Sequence, residues 1–301
     1  MNKACLLMLL AAPALAEPPP ISSEPPQPLT VEERAKEDEG LVQQRVKREV
    51  ATVENPFVIT PHRPNYILPV KYNSSTNQPP VEVVGEEVRL QDVEMKFQLS
   101  LKFPIAFNLF GDNGQLWAAY TQQAFWQAYN DDISAPFRET NHEPELFLAF
   151  DISDDWFGIK PKYALFGFNH QSNGRSEPLS RSWNRLYADF IFETENLVLS
   201  VKPWYRIPES REEDDNPDID KYLGHGEITG VYVMGDYQLD FMVRNNLRSD
   251  NRGAVQLGVS FPLWGKMKGY VQYFNGYGES LIEYNRHSQS IGVGIMLTNW
   301  L

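Results

Sequence analysis

In residues 92–103 every odd position is apolar (Val93, Met95, Phe97, Leu99, Leu101, Phe103) and every even one is polar or charged (Asp92, Glu94, Lys96, Gln98, Ser100, Lys102). Strict period two excludes a helix and puts all the large side chains on one face of an extended strand. Soluble sheets mostly use strands of about five or six residues, whereas a tilted strand crossing a bilayer needs about ten. The alternation returns at Leu239, Phe241 and Val243, at Val255, Leu257, Val259 and Phe261, and at Ile291, Val293, Ile295 and Leu297. Further strand-like segments fall near 115–128, 144–152, 158–172, 182–193, 196–206, 221–233 and 267–277, between loops rich in Asp, Asn, Gly and Pro such as 130–143 and 210–220. About eleven segments are visible. Bacterial outer-membrane barrels use even numbers, so twelve are expected, the last to be sought at 278–285. Trp117, Phe125, Trp126, Trp183, Trp204, Tyr205, Trp264 and Trp300 lie near segment ends, where interfacial girdles belong. A soluble β-sandwich or lipocalin-like barrel also alternates. Here, however, the polar faces carry Lys, Glu, Gln and Ser in strand after strand while the apolar ones are uniformly large, more than one core receives. The expected fold is all-β: a transmembrane antiparallel β-barrel of about twelve strands with a disordered N-terminal extension.

Residues 1–16 carry one charge, Lys3, then an apolar run and a small-residue end, Ala14-Leu15-Ala16. This reads as a signal peptide cleaved before Glu17, because the run is too short to span a bilayer. Cys5 is the only cysteine, so the mature chain has neither disulfides nor thiolate chemistry. It lies at the start of the apolar run, which argues against a lipoprotein signal. The net charge of −13 argues against nucleic acid as a partner. Residues 17–56, Pro-rich and then charge-dense, read as an acidic, solvated periplasmic extension in which residues 31–50 could form a short polar helix. Residues 57–90, with Pro61, Pro64, Pro69, Pro79 and Pro80, read as an irregular lead-in, and the barrel is expected over 91–301 in the bacterial outer membrane.

Residues 168–184 pack a histidine, several hydroxyls, amides and a glycine turn into one hairpin-sized stretch. Beyond it, Arg181, Trp183, Arg185, Tyr187 and Asp189 share one face, and Ser182, Asn184, Leu186, Ala188 and Phe190 share the other. An Arg facing lipid near mid-bilayer costs about 2–4 kcal/mol, so the charged set lines the lumen and Asn184 faces out. On the preceding strand His170 and Ser172 share a face with Phe166 and Phe168, provided that Lys160 and Lys162 lie beyond the hydrocarbon or follow a bulge. A polar trio on an apolar wall must satisfy itself. Asn184 oxygen to one imidazole nitrogen and the other nitrogen to the Ser172 hydroxyl would do so, and that is also a nucleophile, a base and an orienting group in series. A neutral amide cannot offset the imidazolium that forms, so a further charge is expected. Gly174 could let a backbone N–H approach an oxyanion, and the oxygens of Ser176, Glu177 and Ser180 suit a hard cation such as Ca²⁺. His62, His142, His225 and His287 have no zinc-site spacing and read as loop or rim residues.

His170-Gln-Ser-Asn-Gly-Arg175 with Ser180-Arg-Ser-Trp-Asn184, together with Val201-Lys-Pro-Trp-Tyr205, Asp215-Asn-Pro-Asp-Ile219 and Gly276-Tyr-Gly-Glu-Ser-Leu281, resembles the bacterial outer membrane phospholipase A family, from about residue 91 onward. The resemblance implies a calcium-dependent hydrolase that cleaves phospholipids at either glycerol position, and lysophospholipids. It makes Ser172 the nucleophile, His170 the base, Asn184 its orienting partner and the Gly174 amide the oxyanion donor. It further implies an active homodimer with calcium at its interface, held by the Arg175 carbonyl, Ser180 and the partner subunit's Ser134, and a dimer contact through Gln122. Three features depart from the family: Glu177 stands where Asp is frequent, the chain ends Trp300-Leu301 rather than in an aromatic residue, and the acidic arm is longer. The rival readings are a non-catalytic pore or binding barrel, and another lipid-modifying barrel such as a lipid A deacylase.

Overall fold

A closed antiparallel sheet accounts for nearly all the regular structure in the computed structural model, which describes residues 40–52, 60–74, 76, 89–152, 161–210, 212–265 and 267–301. Among these, thirteen strands follow in order: β1 (Thr60–Pro61), β2 (Asn65–Asn73), β3 (Val93–Ala106), β4 (Gln115–Trp126), β5 (Phe137–Asp151), β6 (Pro161–Ser172), β7 (Ser182–Glu193), β8 (Leu197–Ile207), β9 (Gly226–Met234), β10 (Tyr237–Asn245), β11 (Gly253–Trp264), β12 (Met267–Tyr277) and β13 (His287–Thr298). From β2 onward each pairs with its sequence neighbour, and β13 returns to β2, which closes the barrel. β1 and β2 run along the same edge of β3, with Thr60 opposite Lys102 and Tyr66 opposite Gln98, so they are one barrel strand interrupted at 62–64. The barrel therefore has twelve strands.

The twelfth strand lies inside the expected lead-in 57–90, and 278–285 is a loop instead. β2 escapes a period-two reading because a register shift between Leu68 and Lys71 changes its phase. Tyr66 and Leu68 are buried, Pro69 and Val70 are both exposed, and Lys71 is buried again. β5 starts at Phe137, earlier than expected, because both of its faces are polar there and hide the alternation.

Large apolar side chains such as Leu99, Phe103, Leu146, Leu257 and Val293 are exposed on the outer wall, while Lys71, Glu94, Lys96, Arg138 and Arg185 are buried within. That distribution suits lipid outside and a polar lumen. The inward charges pair: Arg138 grips Glu94 through two bonds of 2.8 Å and reaches Glu283 at 2.9 Å, Lys96 meets Glu279 at 3.3 Å, and Arg185 meets Glu143 at 2.9 Å. The interruption at 62–64 folds inward, where Arg63 binds Glu143 at 2.8 Å and His62 binds Glu145 at 2.9 Å. Four aromatics expected at the girdles, Trp117, Phe125, Trp183 and Trp204, are buried in the lumen instead. Their rings carry cations, as Trp183 carries Arg185 at 4.1 Å, and the three indole N–H groups find acceptors, as that of Trp204 does in the Gly224 carbonyl. Tyr205 and Trp264 are exposed on the outside, as expected.

The expected signal peptide lies outside the described residues. The later part of the expected solvated arm instead forms helix α1 (Leu41–Thr52), held against the barrel. Val42 and Val46, one turn apart, pack on Tyr163, Val198 and Ile191. Arg45 bonds the carbonyls of Pro61, His62 and Trp300, and Glu49 pairs with Lys102 at 2.7 Å. Burial would raise the Glu49 pKa, but Arg45 and Lys102 outweigh it and hold the carboxyl below its ordinary range. The chain end is part of this cluster, with Leu301 packed beside Val46 and the Trp300 ring under the Arg45 guanidinium.

Candidate active site

β6 and β7 form a hairpin whose nine-residue loop, 173–181, ends the outward face that carries the site. Their register sets His170 opposite Asn184 and Ser172 opposite Ser182, while β5 brings His142 opposite Ser172. A bulge between Pro161 and Tyr163 resets the phase at the far end of β6, next to Lys162, as the sequence requires, and Lys160 lies outside the described residues. Below the bulge the alternation holds: Phe166, Phe168 and Leu186 are 47%, 40% and 51% exposed, while Asn169 and Arg185 are buried in the lumen. His170, Ser172 and Asn184 therefore open onto the apolar outer wall.

His170 Nδ1 lies 2.9 Å from Asn184 Oδ1. The Ser172 hydroxyl has no hydrogen-bond partner among the described residues, so the expected link to His170 Nε2 is not formed. Positions two apart on a strand are about 7 Å apart at the backbone, and their side chains meet only when turned toward each other. The Asn184 amide nitrogen donates in turn to Glu209 Oε1 at 2.8 Å. Glu209 was not singled out in the sequence, because one acid in an acidic loop has no periodic signature there.

The 173–181 loop is braced from within and from the side. The Asn173 side chain accepts from the Arg175 and Arg181 amides and donates to the Leu179 carbonyl. Asn216, in the loop after β8, accepts from the Ser182 amide, and Ser180 Oγ donates to Asp215 at 2.5 Å. Gly174 takes φ +64°, a conformation that favours glycine, and a Cβ there would come 3.7 Å from the His142 ring. His142 is thus no loop residue: it stands on the wall, with Nδ1 2.6 Å from the Tyr120 hydroxyl. Gln122 pairs with His142 across β4 and β5.

Arg175 and Ser180 share the 173–181 loop, whereas Ser134 ends a 3₁₀ turn in the loop after β4 at φ +60°. No hydrogen bond joins Ser134 to them among the described residues, and no group of three His, Cys, Asp or Glu side chains there could hold a metal. The oxygens on hand are of another kind. The Arg175 carbonyl accepts no hydrogen bond among the described residues, and Ser180 Oγ, donating its proton to Asp215, keeps its lone pairs. Beside them the hydrogen bond that a protonated Glu177 donates to Asp215, together with the Asp215 charge, raises the Glu177 pKa above its ordinary value. Two neighbouring carboxylates gather negative charge, and backbone, hydroxyl and carboxylate oxygens are the ligands a hard cation takes.

The sequence profile of the Phospholipase A1 family matches residues 42–297. The chain is 42% identical to a Klebsiella pneumoniae protein named Phospholipase A1 over 246 residues, covering 82% of this chain and 84% of that one. It is 43% identical to the Proteus vulgaris protein of the same name, covering 82% and 83%. Among solved structures it is similar to the Salmonella typhi outer membrane phospholipase dimer with bound calcium, at TM-score 0.76 and 40% identity over 82% of this chain and 94% of that one. The Escherichia coli outer membrane phospholipase A is similar at TM-score 0.76 and 40% identity, over 81% and 100%.

Proposed function

Since the chain belongs to the phospholipase A1 family of outer-membrane β-barrels, we propose that it is a calcium-dependent phospholipase A that hydrolyses acyl esters at both glycerol positions, and lysophospholipids, with Ser172, His170 and Asn184, and that dimerisation regulates it. One observation carries this reading: the His170–Asn184 bond stands on the lipid-facing wall, beside Phe166, Phe168 and Leu186. An acyl chain lying along those side chains brings its ester to Ser172 without leaving the membrane.

Asn184 Oδ1 fixes the Nδ1–H tautomer of His170 and leaves Nε2 as the base. Ser172 Oγ turns toward Nε2, loses its proton to it and attacks the ester carbonyl carbon. The Gly174 amide donates to the oxyanion of the tetrahedral adduct. Collapse breaks the carbon–oxygen bond, and the leaving alcohol takes the proton from Nε2. Water then attacks the acyl-serine, with His170 taking its proton and returning one to Ser172 as the fatty acid departs. The Arg175 carbonyl and Ser180, with the partner subunit's Ser134, would hold calcium, whose positive charge would favour the negative charge that develops on the oxyanion. Gln122, on the outer wall, lies at the dimer contact.

Ser172→Ala is expected to abolish phospholipid hydrolysis while the barrel keeps its heat-modifiable mobility on gels, and chelation is expected to silence the wild type. Hydrolysis retained in the serine variant would sink the mechanism.

A further inference from the structure

We infer that Glu209 is a positioning residue of this site: acting through Asn184, it fixes the tautomer of His170 and supplies a negative charge that the neutral amide lacks. The inference rests on the Ser172, His170, Asn184 reading. The Asn184 amide donates to Glu209 Oε1 at 2.8 Å while its oxygen meets His170 Nδ1 at 2.9 Å. An ionised carboxylate only accepts, so only the NH₂ end of the amide can face it. The oxygen then faces the imidazole, the proton sits on Nδ1, and Nε2 keeps the lone pair that a base needs. With no acceptor behind it, the amide is free to turn over, and a turned amide would offer NH₂ to Nδ1 and leave the proton on the wrong nitrogen.

The charge has a second effect. When His170 takes the serine proton it becomes an imidazolium, and Glu209 lies one side chain behind it. Glu209 Oε2 is buried without a partner among the described residues. The neighbouring charges are engaged elsewhere. Arg206 pairs with Asp214 at 2.6 Å, Arg181 bonds the Pro178 and Ser180 carbonyls, and Glu213 takes the Ser210 hydroxyl. From β4 and β5, Tyr120 and His142 bond each other. None of these arrangements depends on Glu209.

The test uses the full-length protein in mixed micelles of phospholipid and detergent, at calcium saturating for each variant. Glu209→Gln keeps an acceptor oxygen and removes the charge. It should lower kcat about tenfold with KM unchanged and move the acid limb of the kcat profile about 0.5–1.5 pH units lower, because His170 loses a charge that favours its protonated form. Glu209→Ala, which also frees the amide, should lower kcat about a hundredfold. Adding Asn184→Asp to Glu209→Gln places the charge directly on the orienting residue and should return the acid limb toward its wild-type position. A merely structural role for Glu209 would move neither limb. An unmoved acid limb with kcat within about twofold in Glu209→Gln would overturn the inference alone, provided that Ser172→Ala is inactive. Hydrolysis surviving in Ser172→Ala would overturn both readings.

Discussion

The lumen and the outer wall of this barrel both carry polar side chains, and they satisfy them in opposite ways. Inside, nearly every charge meets an opposite charge directly: Arg138 holds Glu94 and Glu283, and Glu279 is shared by Lys71 and Lys96. Outside, Asn184 and His170 stand among Phe166, Phe168 and Leu186 and depend on one short chain of hydrogen bonds ending at Glu209. A direct pair neutralises its members and leaves them inert. A chain with one free end, the Nε2 of His170 beside Ser172, leaves a group able to react. The lumen should therefore set stability and the wall activity, and substitutions in each region can separate the two.

The largest effect on stability is expected from Arg138→Leu, which leaves Glu283 without a paired cation among the described residues and Glu94 with Lys71 alone. Removing one partner of a buried pair costs about 3–5 kcal/mol, read as a lower urea midpoint for the folded barrel in detergent. Activity per folded molecule should be unchanged, and a large loss of kcat at full folding would break the division. Asn184→Leu tests the other side. General acid–base catalysis as a whole is worth about 10²–10⁴-fold, so losing only the orientation of the base should cost about ten- to a hundredfold in kcat. The urea midpoint should move less than in Arg138→Leu, since an apolar side chain suits that wall while Glu209 loses its donor.

Helix α1 is a third region, where packing and charge act together. Arg45→Met removes three bonds to the carbonyls of Pro61, His62 and Trp300 and should cost about 1–3 kcal/mol with no change in kcat. The same cluster should weaken in acid. Glu49 has a lowered pKa in the folded chain, so its contribution is present above the ordinary carboxylate range and is lost as pH falls through the lowered value. Glu49→Gln should flatten that part of the stability profile.

The wall was legible in the sequence because lipid imposes one rule on every strand, and Arg185 and Asp189 gave its direction. The rule fails where both faces are polar or the phase changes. The Pro69 bulge hid β2, and Thr140 and His142 outside, opposite Asn141 and Glu143 inside, made the start of β5 look like a loop. The polarity of His170 and Ser172 on an apolar face marked the site, but partners that arrive from loops left no trace. Glu209 reaches Asn184 from 25 positions away, and Glu279 reaches Lys71 and Lys96 from the loop after β12. Period two says which face a residue is on and nothing about which loop closes over it. The short helix expected within 31–50 is there as α1, but its packing against the barrel left no signal, since two valines in a charged segment are too few to announce a buried face.

The smallest effect expected lies where the wall meets water. Glu177 is fully exposed, yet Asp215 raises its pKa through a hydrogen bond and through its charge, so Glu177 holds its proton to higher pH than an isolated carboxyl would. Because the folded value is raised, the repulsion is absent below the ordinary carboxylate range and is fully present above the raised value, where it disfavours the folded loop. A divalent cation would remove that repulsion and displace the proton. Calcium affinity of the full-length protein should therefore fall as pH drops through the raised Glu177 range, with proton release visible as a buffer-dependent heat in calorimetry. Glu177→Gln should remove the proton release and lower the affinity only modestly, because the Arg175 carbonyl and Ser180 remain. An unchanged proton release would place the titrating group elsewhere and separate the Glu177–Asp215 pair from cation binding.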